Sequence, residues 1–464
     1  MKRILISLFV FSFLFLSCEH ETPIEQGKGL GSANFQVYVA IGNSITAGYQ
    51  SSALYASSQQ YSYPNLIARQ VRAAGGVLEF SQPLIKDPGV GGRLRISKVS
   101  PLTIVTDPSL NAVSTSIYDN PALPQFAYHN LAIPGAYVNN PFNNRNDVLD
   151  TLNSYSKSFG GSYDDNPFHH VVRRNPAIGQ PGNTGSVWQQ LKRLNPTFMS
   201  VWLGNNDVFV HAASGGILPY TSAAAFQAQF NAMIDSLLTT NAQIVIATIP
   251  DVTQAALMTT LRWFIPDPAD ISKPLFGAYI SLYGEMADGT PKYLGPHDLV
   301  LLTAADWLAD GYGIPSFFPG SRNLPLPRSV ILDSAEVALV RSLISQYNTM
   351  IRQRESARVA IADVYSTFSR IASGGVFISG VQFTTAYMVG GIFSLDGIHP
   401  TSQASGLIAN KFIETINAKW GASIPYVDVL MLPGIPIPLG KGENRFGLMD
   451  VPFRKVDAAK QWYF

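Results

Sequence analysis

Two patterns of apolar and polar positions alternate along the chain. Short, mostly apolar runs recur at 35–41, 197–204, 242–250 and 357–365, the first three closed by Gly42, Gly204 and Pro250. Such runs are too short for helices and read as buried strands. A further segment, 126–138 ("FAYHNLAIPGAYV"), reads as a short strand running into a loop at Pro134–Gly135. Between these runs the apolar residues take a helical period, which predicts helices at 63–74, 188–194, 223–238, 334–355 and 402–418. Strands buried on both faces, alternating with amphipathic helices, predict an α/β fold: a parallel sheet between two helical layers, a three-layer α/β/α sandwich.

Several stretches break the alternation. Residues 75–124 are rich in Pro, Gly and Ser and read as a first loop insertion. Residues 252–328, rich in aromatics and Pro, read as a second, and 139–185 is an Asn-rich loop. A Pro-rich, aromatic extension, 421–464, is expected to pack on the domain. No internal repeat is visible. The organisation expected is therefore one domain, 34–420, interrupted by large loops.

The N-terminus has its own pattern. Lys2 and Arg3 precede an apolar run, 4–16, which ends at Ser17 and Cys18, the only cysteine. This reads as an export signal, too short for a usual membrane span. A small residue before a lone cysteine resembles the lipobox of bacterial lipoproteins, although Phe15 stands where leucine is usual. The expectation is a signal peptide over 1–18, lipidation of Cys18 and a polar tether over 19–33. The protein would then be exported and held at the bacterial cell envelope, at the outer membrane or cell surface, by lipid alone. One cysteine permits no internal disulfide.

Composition narrows the partners. The 464 residues are 46% hydrophobic and only 14% charged, with a formal net charge of +1. Nothing in that balance suggests nucleic acid.

In an open parallel sheet, functional groups gather at the carboxyl ends of the strands. Ser44 follows the first run, in "GNSIT". Gly135 follows the second, "GNND" (204–207) the third, and "SLDGIHP" (394–400) precedes the last helix. Ser44 alone can be read as a helix N-cap or as a nucleophile. The four blocks together, in this order, resemble the SGNH (GDSL-type) serine hydrolases. The matches are Gly42–Thr46, then Asn130 with Gly135, then Gly204, Asn206 and Asp207, then Asp396, His399 and Pro400. One departure is Asn43, where the family has aspartate before the serine; a retuned turn is expected, not a lost activity.

The resemblance implies a flavodoxin-like sheet and a catalytic triad of Ser44, His399 and Asp396. It implies an oxyanion hole from the Ser44 and Gly135 backbone N–H groups and the Asn206 amide, with no metal and no cofactor. The chemistry is consistent: a serine hydroxyl needs a base, the base needs an orienting carboxylate, and the developing oxyanion needs aimed donors. The G-x-S-x-G elbow of α/β-hydrolases does not fit, because Thr46 stands where its second glycine belongs.

The remaining signals read as structural. Asp207 is expected to brace a turn, His169–His170 to be loop histidines, and Gly89–Arg93 to be a plain loop. The insertion's aromatics (Phe276, Tyr279, Tyr283, Trp307, Tyr312, Phe317 and Phe318) are expected to form its small core. The substrate implied is a small-molecule, lipid or glycan ester. A lipid ester would draw an apolar groove from 252–328; an acetylated sugar would draw a polar platform from 139–185. A catalytically silent lipid- or glycan-binding lipoprotein that keeps the fold is the rival reading, and the oligomeric state is open.

Overall fold

The structure is a computed structural model. It describes residues 29–435 except 77–78, 99–102, 113, 120–126, 139–167, 169–170, 173–186 and 268–269. The expected signal peptide with Cys18, most of the expected tether, His169–His170, most of the Asn-rich loop and residues 436–464 lie outside the described residues.

The sheet is parallel, with strands β1 (Tyr38–Gly42), β2 (Phe198–Trp202), β3 (Gln243–Ala247) and β4 (Val359–Ala362) side by side in that order. β1 and β2 run in step from Tyr38 opposite Phe198 to Gly42 opposite Trp202. The segment at 129–133 lies along the free edge of β1. The Ala40 N–H donates to His129 O at 2.8 Å, and the Leu131 and Ile133 N–H groups donate to Ala40 and Gly42. It occupies the fifth, outer place of a flavodoxin-like order, but only as an irregular bridge at Asn130. The strand expected there is thus a loop held on the sheet edge.

Eight helices matter here: α1 (Ser44–Ala47), α2 (Tyr63–Ala73), α3 (Val187–Leu194), α4 (Asn206–Ala213), α5 (Ala223–Leu238), α6 (Ser334–Arg352), α7 (Val364–Gly374) and α8 (Ser402–Trp420). Alternate strand residues face opposite layers. Val39, Met199, Ile244 and Val359 pack with α5 and α6 on one face. Tyr38, Phe198, Val245 and Ala360 pack with α2 and α8 on the other. This is the three-layer sandwich read from the apolar runs.

Local chemistry sets the helix starts. Asp333 and Glu336 form a capping box before α6: Asp333 Oδ1 accepts from the Ala335 and Glu336 N–H groups, and Glu336 Oε2 accepts from the Asp333 N–H. α7 was absent from the sequence reading. It begins directly after β4, capped by Asp363, which accepts from the Ser366 N–H. Residues 421–435 run back along α8, tied by Asn417 to Ile424 and by Asn410 to Val427.

The insertions differ from expectation in one respect. The core of the second is aliphatic, built on Leu282, Leu294, Val300, Leu326 and Ile331. Of the aromatics expected to form that core, Tyr312 packs against it, while Tyr279 and Phe317, 65% and 71% exposed, face outward. Among the described residues no helix is long and apolar enough to cross a membrane.

Candidate active site

Ser44 sits where β1 meets α1. Gly42 allows this junction: a Cβ there would fall 2.0 Å from Thr46 Oγ1 and 2.9 Å from Trp202 O. The helix is capped by Asn43, whose Oδ1 accepts from the Ile45 N–H at 3.2 Å. Ser44 is therefore the first helical residue and not the cap. Asn43, the departure from the family pattern, performs the capping that Ser44 was also open to. As the first residue of α1, Ser44 has a backbone N–H with no intrahelical acceptor.

His399 and Asp396 are joined. His399 Nδ1 donates to Asp396 Oδ2 at 3.0 Å. A carboxylate only accepts, so this bond places the proton on Nδ1 and leaves Nε2 unprotonated and able to accept. The carboxylate is buried and receives four more hydrogen bonds. Oδ2 accepts from the Ser52 N–H at 2.8 Å; Oδ1 accepts from the His399 N–H at 2.9 Å, the Ile398 N–H at 3.0 Å and Ser394 Oγ at 3.2 Å. Burial works against its charge, but the His399 ring and these donors outweigh it, and the carboxyl is held below its ordinary range. The Tyr49 ring packs against the imidazole, centroids 4.6 Å apart. Burial, then the Asp396 charge, pushes the Tyr49 phenol well up, so it stays neutral.

Sequence reasoning missed the brace behind Asp396. Ser51 and Ser52 both adopt left-handed backbone, at φ 51° and 64°, a conformation costing about 1–3 kcal/mol each for such residues. It turns the Ser51 N–H onto Ser394 Oγ at 2.9 Å and the Ser52 N–H onto Asp396. Two consecutive serines carry no local signal for this, and their partners lie far away in sequence.

The third block meets the second. Asn206, first in α4, donates through Nδ2 to Ala136 O at 2.8 Å. This bond fixes the amide and leaves its second hydrogen free to donate. Gly135, next to Ala136, takes φ 84°, and its N–H meets no acceptor among the described residues. Asp207 braces loops, as read: it accepts from the Val138 N–H and from Thr221 Oγ1. Asn130 donates to Thr46 O and Gln82 Oε1, beneath the Ser44 turn.

Ser44, Asn206 and His399 line one cleft at the carboxyl ends of the strands, enclosing about 980 Å³ of empty space including its open mouth. Gly135 is not among its lining residues. No hydrogen bond joins Ser44 Oγ to His399 Nε2 among the described residues; such contacts are often long before substrate binds. The other walls are mostly apolar and come from Phe209 on α4, Val252, Phe393 and the faces of α7 and α8. From the second insertion only Val252 and Ala255 reach the cleft; its exposed aromatics do not.

A family model described as GDSL-like Lipase/Acylhydrolase matches residues 38–412. The chain belongs to this family, and its chemistry is ester hydrolysis. A search of curated proteins finds no match. Among solved structures the chain is similar to a Clostridium thermocellum family 3 carbohydrate esterase, at 12% identity and a TM-score of 0.32, over 84% of this chain and 98% of that one.

Proposed function

We propose that the chain is a serine ester hydrolase whose nucleophile is Ser44. His399 Nε2 takes the hydroxyl proton as Oγ attacks the ester carbonyl, then returns it to the departing alcohol. Water repeats the sequence on the acyl-enzyme, and His399 again accepts and returns the proton. Asp396 holds the imidazole in the required tautomer and stabilises its charged form. The oxyanion is met by the Ser44 N–H, the Gly135 N–H and Asn206 Nδ2. The observation that carries the reading is the buried Asp396 carboxylate on His399 Nδ1, in a dyad that opens onto the same cleft as Ser44 and Asn206.

The test is a panel of p-nitrophenyl esters and acetylated sugars, run beside fluorophosphonate labelling. Turnover with labelling supports the reading. Neither one would leave a silent binding protein that keeps the fold. Within the panel, Asn206→Ala is expected to lower kcat by about 10²–10³-fold, the size of one lost oxyanion donor. KM should move little, since the bond strengthens as charge develops. A near-normal kcat would leave Asn206 as a tie to Ala136 only.

We also propose that the enzyme is lipid-anchored through Cys18 at the cell envelope. The support is the apolar run that ends at the lone cysteine. Cys18→Ala should abolish acyl incorporation and move the protein out of the membrane fraction; unchanged membrane association would overturn the anchor.

A further inference from the structure

Beyond the reacting groups, the cleft continues between two helices. α7 presents Val364, Phe368 and Ile371 to it, and α8 presents Ala404, Leu407 and Ile408. Both sets follow i, i+4, i+7 or i, i+3, i+4 spacing, so each is a single helical stripe. Both stripes line the same cleft. α8 starts just after His399 and Pro400, so its stripe leads away from the imidazole. It ends at Lys411, which also lines the cleft and pairs with Glu414 at 3.2 Å. From Ala404 to Lys411 the helix rises about 10 Å.

We propose that this groove holds the acyl chain of a medium- or long-chain carboxylic ester whose carbonyl lies at Ser44. The proposal rests on the ester-hydrolase reading and supplies its substrate class. The occupant is fixed by continuity: the groove opens into the cleft that holds Ser44, Asn206 and His399, so whatever fills it is joined to the reacting ester. It is fixed also by chemistry. The walls between His399 and Lys411 offer a chain-like ligand almost no polar partner, which a sugar hydroxyl would need and a hydrocarbon does not. Length agrees. A zigzag chain of C–C bonds near 1.5 Å advances roughly 1.25 Å per carbon, so about 10 Å accommodates about eight carbons.

Purified protein is assayed with p-nitrophenyl acetate, octanoate and decanoate and with acetylated xylan. Each buried methylene is expected to raise kcat/KM about threefold to fourfold, so decanoate should exceed acetate by at least about 10²-fold. Leu407→Trp, placed midway along the groove, should reduce the decanoate-to-acetate ratio at least about tenfold. A preference for acetate or acetylated xylan, or a ratio unmoved by Leu407→Trp, overturns the proposal. If Leu407→Trp does not fold, Leu407→Ala replaces it and should shift the optimum toward longer chains; an unmoved optimum is equally fatal. Failure of the hydrolase reading is distinguishable. If no ester turns over, decanoate binding is measured by calorimetry. Saturable binding weakened by the Leu407 variant keeps the groove as an acyl site, and no binding discards it.

Discussion

Ser44→Ala is expected to abolish ester turnover while leaving the fold as stable as before. Removing the nucleophile of a serine triad costs about 10⁶-fold in kcat, and labelling by a fluorophosphonate should vanish with it. In the wild type, mass spectrometry should place the adduct on the peptide holding Ser44. The stability half of the expectation follows from the cap. Asn43, not Ser44, satisfies the first turn of α1, and Ser44 Oγ makes no hydrogen bond to any described residue. A nearly buried hydroxyl without a partner contributes little, and its removal can even stabilise. Thermal unfolding of Ser44→Ala should therefore match or slightly exceed the wild type. Asn43→Ala, by contrast, should cost about 1 kcal/mol as a lost cap. Retained turnover in Ser44→Ala, or an adduct on another serine, would sink the nucleophile assignment.

The strands were legible because a fully buried strand needs a continuous apolar run and a breaker to end it. Gly42 closes the first run, and Gly204 stands just past the end of β2. The helices were legible where one face is buried and the other wet, as in α5 and α6. α7 was lost because Val364 and Tyr365 extended the preceding apolar run, and the strand reading absorbed the helix start. Asp363 was the missed sign: an N-cap three residues before Ser366. The segment at 126–138 erred the other way. It has strand-like residues, but beside the one edge strand it meets, its Pro134–Gly135 turn leaves room only for a bridge.

The residues that the structure brings to the cleft, Ser44, Asn206 and His399, were legible because their chemistry is written in short blocks. What supports them was not. The Ser51–Ser52 turn meets Ser394 and Asp396 across more than three hundred residues, and the chain's other serine pair, Ser57–Ser58, reads no differently. The apolar wall of the cleft was not legible for a related reason: much of it comes from the faces of α7 and α8, and α7 itself was missing from the sequence reading.

The largest effect away from the nucleophile is expected at Asp396. Asp396→Asn should reduce kcat/KM by up to about 10⁴-fold, the scale of the corresponding change in a serine-protease triad. The reason is the number of donors aimed at the carboxylate. Both oxygens accept, three bonds at Oδ1 and two at Oδ2. An amide can offer an acceptor on one side only. With its NH₂ toward His399, the imidazole must accept at Nδ1, the proton moves to Nε2, and the base is lost. The Ser52 N–H is also left unpaired. With its NH₂ turned the other way, it confronts the Ile398 and His399 N–H groups. Either way a buried donor loses its acceptor, at a cost of about 1–3 kcal/mol, so a lower melting temperature should accompany the lost rate. The pH dependence separates this from a general loosening. Because the folded carboxyl is held below its ordinary range, its contribution to stability is fully present above the unfolded value of about 4. It fades as pH falls below that. The wild type should show this acid-side loss of stability, and Asp396→Asn should lack that component. Full activity in the variant would mean that another group orients His399. An acid limb identical in both proteins would mean that the Asp396 charge does not stabilise the fold.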